Sequence, residues 1–168
     1  MLNNTINFQV VSNLAFTADV AAATEVKYEG ISQKSGKAYS FTRFETDLKI
    51  GGIKVGKLVS GKYDPRPVLQ ADGTYKLIRT LKWEASFPKG KEWVSVKEDE
   101  LVKSGFRKFY EDDQTNQKGD VNHVIGYDKA EGGTYVKLWV YQNQTDRTNS
   151  NAVRAQIEMK ATRFEEVK

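Results

Sequence analysis

Apolar and polar residues alternate along most of this chain, and a period of two predicts strands. Ile6 to Leu14 and Thr24 to Tyr28 read as short strands, while Ala18 to Thr24 is too Ala-rich to assign. Gln33-Lys34-Ser35-Gly36-Lys37 is a turn, with Gly36 supplying the positive φ of a tight reversal. Tyr39 to Ile50 is dense in aromatic and β-branched residues and reads as a strand. Gly51-Gly52 breaks it, and Ile53 to Val59 alternates again. The prolines of Asp64-Pro65-Arg66-Pro67 lack a ladder donor, which keeps that segment out of mid-sheet. Asp72-Gly73 turns the chain into a long strand from Tyr75 to Phe87. There Tyr75, Leu77, Leu81, Trp83, Ala85 and Phe87 share one face, Arg79 being the exception, and Lys76, Thr80, Lys82 and Glu84 occupy the other. Val121 to Tyr127 and Tyr135 to Gln142 flank a turn at Glu131-Gly132-Gly133, and Val153 to Ala161 forms a last amphipathic strand.

One segment changes period. Ser95 with Glu98 three residues on fits a capping box, and Asp99 and Glu100 suit the positive end of a helix dipole. Leu101, Val102, Gly105, Phe106, Phe109 and Tyr110 follow at helical spacing, predicting one helix that the polar run from Glu111 to Gly119 ends.

Composition narrows the chemistry. In 168 residues there is no Cys and one His, His123, which excludes disulfides, thiol catalysis and both thiolate and multi-His metal sites. No apolar run suffices for a spanning helix. Met1-Leu2-Asn3-Asn4-Thr5 has neither a basic nor an apolar region, so no signal peptide is expected. The expectation is a soluble, cytoplasmic protein without a membrane partner, in the host cytoplasm if viral. The formal charge is +4, yet Lys27 to Lys62 holds eight basic residues against three acidic ones. Such a stretch suits a polyanion, because Lys and Arg displace counterions from phosphates.

Rings and cations share two strand faces. One carries Lys37, Tyr39, Phe41 and Arg43; the other carries Tyr135, Lys137, Trp139 and Tyr141, opposite Val136, Leu138 and Val140. The aliphatic residues form the natural core side, so the rings are expected to point outward. Exposed rings among cations suit single-stranded nucleic acid, where bases stack and phosphates pair. The competing reading has these rings packed under a helix, a second sheet or another subunit.

Enzyme motifs are weak. Gly51-Gly52-Ile53-Lys54-Val55-Gly56-Lys57 has the glycine and lysine spacing of a phosphate-binding loop, but Leu58 stands where Ser or Thr is needed, and the segment alternates like a strand. His123 alternates with Val121 and Ile125 as a strand residue. Asp112-Asp113 with Asp120 or Asp128 has no spacing that favours a metal over a solvated loop. No catalytic residue, metal or cofactor is expected.

Strands, a helix, then further strands is also the element order of the OB-fold, whose helix lies between the third and fourth of five barrel strands. On Ser35-Gly36-Lys37-Ala38-Tyr39-Ser40-Phe41, the helix position and Tyr135 to Tyr141, the chain resembles the OB-fold single-stranded DNA-binding proteins, particularly the small divergent ones of bacteriophages. The resemblance implies a mainly β, single-domain chain over 1–168. Its small antiparallel barrel spans about 24–142, with N-terminal and C-terminal strand extensions. It implies binding loops at Gln33 to Lys37 and Asp128 to Gly133. Bacterial members end in an acidic tail that recruits partners, whereas this chain ends Phe164-Glu165-Glu166-Val167-Lys168.

The expected function is coating of single-stranded DNA, RNA not being distinguished, during replication or recombination. Lys34, Lys37, Arg43, Lys54, Lys57 and Lys62 would meet phosphates; Tyr39, Phe41, Trp139 and Tyr141 would stack on bases, with Tyr135 and Lys137 on the same face. Replication or recombination proteins and a second copy of the chain are the further candidate partners. The alternative is a β-rich assembly protein whose aromatic faces join subunits.

Overall fold

The computed structural model describes residues 4–145 and 152–167. Met1, Leu2, Asn3 and Lys168, on which the expectations about a leader and a tail partly rest, lie outside the described residues. Alternation along the chain becomes twelve strands. They are β1 (Thr5–Val11), β2 (Leu14–Asp19), β3 (Thr24–Ile31), β4 (Ala38–Ile50), β5 (Ile53–Gly61) and β6 (Arg66–Leu69). The rest are β7 (Tyr75–Ser86), β8 (Trp93–Lys97), β9 (Arg107–Thr115), β10 (Val121–Glu131), β11 (Thr134–Thr145) and β12 (Ala152–Glu166). A 3-10 turn (Val20–Ala22) precedes β3, and α1 (Glu98–Lys103) lies between β8 and β9.

All pairings are antiparallel, in the order β1-β2-β4-β5-β7-β12-β11-β10-β9, with β3 on β4, β6 on β7 and β8 on β12. The sheet is not closed. It curls until β1 packs against β11, and side chains bridge the gap that a ladder would close. Lys129 Nζ donates to Gln9 O at 2.6 Å and Arg163 Nη2 to Thr5 O at 3.3 Å. The core fills the inner face of the curl: Ile6, Phe8, Phe16, Leu48, Leu58, Trp83, Val136, Leu138, Ile157 and Met159 among others.

Paired glycines set two of the hairpins. Gly51 and Gly52 have φ of 55° and 82°, and Gly132 and Gly133 have 57° and 82°. Positive φ at both central residues is the two-residue turn whose twist matches the strands it joins. The phosphate-loop spacing at Gly51 to Lys57 is therefore a hairpin entering β5, with no helix behind it.

The expected helix is corrected. It ends at Lys103, because Gly105 (φ 95°) lies just past the C-cap Ser104. Phe106 N donates to Leu101 O at 3.0 Å and Gly105 N to Val102 O at 3.1 Å, the paired bonds of a Schellman stop. The first helical residue follows Lys97, which makes no side-chain cap, and Ser95 lies in β8 paired with Arg154, so the capping box does not form. Phe109 and Tyr110 belong to β9, and the polar run after them continues that strand to Thr115. One smaller correction follows: Ile6 to Leu14 is divided at Ser12-Asn13 into β1 and β2. Arg66-Pro67 stays out of mid-sheet, in the short edge strand β6 that pairs with β7 alone. Among the described residues no helix is long and apolar enough to cross a membrane.

Candidate nucleic-acid interface

Directly paired residues of a sheet point to the same side, so register alone tells which side chains share a face. Thr24 pairs with Glu45, Glu45 with Val59, Val59 with Glu84, Glu84 with Lys160 and Lys160 with Tyr135. This row places Tyr39, Phe41 and Arg43 of β4 on the same outer face as Tyr135, Lys137, Trp139 and Tyr141 of β11, away from the core. The two sets lie at opposite corners. With strands about 4.8 Å apart rising about 3.3 Å per residue, Phe41 and Trp139 are about 30 Å apart along the diagonal.

The first corner is an arm. Beyond the Arg43–Gly61 pair, β4 has β3 as its ladder partner, so the two form a ribbon standing off the sheet. On its outer face Tyr28 stacks on Phe41 at 5.1 Å between centroids and Tyr39 follows at 6.1 Å. Tyr39 and Phe41 are each 47% exposed. The Arg43 guanidinium lies 4.5 Å over the Tyr28 ring. At the tip, Lys34 and Lys37 flank Gly36 and carry no ion pair among the described residues.

Five other cations of the basic stretch, Lys27, Arg43, Lys54, Lys57 and Lys62, have partners. Glu45 is buried at the root of the arm, where it accepts from the Tyr28 hydroxyl and, at 2.7 Å, from Arg43 Nε. It also pairs with Lys57 at 3.3 Å. Burial works against its charge, but these hydrogen bonds outweigh it and hold the carboxyl below its ordinary pKa. Arg43 and Lys57 are thus committed to Glu45. Lys54 pairs with Asp47 and Lys62 with Glu25, both at 3.2 Å and both solvated, and such exposed pairs exchange partners at little cost.

The second corner is more packed. A bulge at Phe109 in β9 brings Phe109 and Tyr110 edge-on to Trp139, with centroids at 5.3 and 5.5 Å. Trp93 of β8 meets Tyr141 at 5.5 Å, and the Arg154 guanidinium lies 5.5 Å over Trp93. Lys137 Nζ is 5.6 Å from the Trp139 ring and 3.6 Å from Glu158. The Tyr135 hydroxyl donates to Asp128, which also pairs with Arg107 at 2.8 Å. Val124 shares this face, since it pairs with Tyr141, yet it is fully buried, so the surrounding outward side chains roof it. All four β11 residues are half-buried. These rings point outward and partly cover one another.

Sequence reasoning missed Tyr28, Trp93, Phe109, Tyr110 and Arg154. The β3–β4 hairpin is centred between Lys34 and Ser35, which sets Tyr28 opposite Phe41, a register that the positive φ at Gly36 does not reveal. Phe109 and Tyr110 were hidden by the helical reading. His123 lies in β10 with Nε2 and Nδ1 each 2.7 Å from a carboxylate, Glu111 and Asp113 respectively. Among the described residues no group of three or more His, Asp or Glu side chains is placed to hold a metal ion. No family model matches the chain, and neither a curated protein nor a solved structure matches it.

Proposed function

We propose that the protein binds single-stranded nucleic acid on the outer face of its sheet, with little sequence preference, coating strands during replication or recombination in the cytoplasm. DNA is the first candidate and RNA the competitor. The observation that carries this reading is the paired row from Thr24 to Tyr135, which sets both ring-and-cation clusters on one core-distal face. Rings take bases of any identity, and cations take phosphates. Of the six cations assigned to phosphates, Lys34 and Lys37 carry no ion pair among the described residues, whereas Arg43, Lys54, Lys57 and Lys62 do. The OB-fold likeness belongs to this proposal. That fold also offers a sheet face and its loops to a strand, although here twelve strands form an open sheet and the helix follows β8. The reading needs neither a cofactor nor catalysis.

Titration of oligo(dT), duplex DNA and RNA of equal length at two salt concentrations tests it. The single strand should bind best, and its log–log salt slope should approach −0.7 per neutralised phosphate. Equal, salt-independent affinity for all three would remove the proposal.

One feature favours the assembly reading as second. On the β6–β7 hairpin, Leu69, Tyr75 and Leu77 are 60%, 67% and 46% exposed on one face. A concentration-dependent oligomer that persists in high salt, without nucleic-acid binding, would support that reading instead.

A further inference from the structure

A groove on the outer face, beside the foot of the arm, belongs to neither cluster. It encloses about 620 Å³ between the segment after β5, the outer face of β6 and β7, and the C-terminal part of β12. Two rings line it, Tyr63 at 49% and Phe164 at 67% exposure. Lys62, Arg66 and Lys82 line it too, against one acid, Asp64. Lys62 is paired with Glu25, whereas Arg66 and Lys82 carry no ion pair among the described residues.

Its position follows from register. Phe164 pairs with Thr80. The last pair of β4 with β5 is Arg43–Gly61, so the segment carrying Lys62, Tyr63 and Asp64 leaves β5 at the foot of the arm and lines the groove opposite Phe164. Lys62 ties this segment to the arm through Glu25 of β3 at 3.2 Å.

We propose that this groove is a nucleotide-binding subsite continuous with the arm: a base seats between Tyr63 and Phe164 while Arg66 and Lys82 take the flanking phosphates. The inference rests on the single-strand reading above and adds a path from the arm into the groove to the surface that reaches Trp139. The cationic excess of the lining favours a polyanion over an apolar segment of a second copy.

The test is anisotropy of labelled oligo(dT) with wild type, Phe164→Ala, Tyr63→Ala and the double variant Arg66→Ala/Lys82→Ala, each first checked by its melting curve. Either ring variant should weaken binding about tenfold. The charge variant should flatten the salt slope by about 1.4. If wild type binds and all three variants match it, the groove is excluded while the single-strand reading stands. If wild type binds no nucleic acid, the reading and the groove fall together. If Phe164→Ala changes sedimentation but not affinity, the groove is an interface between copies and the proposal is overturned.

Discussion

Tyr39 lies directly over Gly30, its paired neighbour on β3: a Cβ added to Gly30 would meet the tyrosine hydroxyl at 2.6 Å and the ring at 2.7 Å. The bare glycine lets the ring settle on the ribbon beside Phe41. The other corner repeats the device, since a Cβ on Gly126 would meet the Phe109 ring at 2.6 Å. In each case a glycine opposite an aromatic holds a ring flush with an outward face.

Gly30→Ala should therefore push Tyr39 off the arm. The atoms displaced are the far end of a flexible side chain on an exposed ribbon, so the melting temperature should hardly change. Affinity for oligo(dT) should fall several-fold. Unchanged affinity, measured by anisotropy, would take Tyr39 out of the binding surface.

Lys34→Ala/Lys37→Ala removes the charge at the arm tip. Both side chains are exposed. Stability should stay within about 0.5 kcal/mol of wild type, as for surface changes generally. The salt slope of single-strand binding should flatten by about 1.4, two phosphates' worth. A titration series across salt concentrations reads this directly.

The two tryptophans should separate folding from binding. Trp83 is 2% exposed within the core, so Trp83→Ala should cost roughly 3–5 kcal/mol of stability. Trp139 faces outward and is half-buried by Phe109 and Tyr110. Its replacement should cost clearly less stability but roughly 1–3 kcal/mol of binding, and should abolish part of the fluorescence quenching by oligo(dT). Unfolding by Trp139→Ala with affinity intact would make that ring structural.

The alternation that located Trp139 was legible because Leu138 and Val140 are apolar on every count, and both are fully buried. The strands expected over Tyr39 to Ile50, Ile53 to Val59 and Tyr75 to Phe87 emerge as β4, β5 and β7 for the same reason: part of one face of each is buried. Where neither face meets the core, the period vanishes. The outer half of β9, Glu111 to Thr115, is an exposed edge strand and reads as a polar loop. Gly105 misled differently, because in a helical stripe it looks like a tolerated weak point, whereas its positive φ makes it the stop. The union of the two ring faces was beyond local reading, since it depends on register carried through β5, β7 and β12. So was the capture of Arg43 and Lys57 by Glu45, a contact that needs β3 and β5 brought beside β4.

Stability should depend on pH at both ends. The hydrogen bond to Glu111, then that to Asp113, raises the His123 pKa above its ordinary 6.5. A raised pKa stabilises the fold fully below the unfolded value, and that contribution is lost as pH rises through the folded one. His123→Gln should therefore remove a component of the decline in melting temperature above about pH 6.5. Glu45 behaves oppositely. Burial opposes its charge, the bonds from Tyr28, Arg43 and Lys57 prevail, and its lowered pKa stabilises above the unfolded value. That share is lost as pH falls through the folded value, so Glu45→Gln should blunt the acid-side decline. Calorimetry of both variants against wild type across the range checks each sign.

The outer face of the sheet as a single-strand surface is tested most directly by removing the two exposed rings of β4 on the arm. Tyr39→Ala/Phe41→Ala should keep the melting temperature of wild type to within a few degrees, because the arm lies outside the core. Against oligo(dT) at low salt, it should lose about 10- to 100-fold in affinity, as one or two lost stacks imply, while duplex binding changes little. A folded double variant that binds oligo(dT) as tightly as wild type, with the same salt slope, would contradict the account.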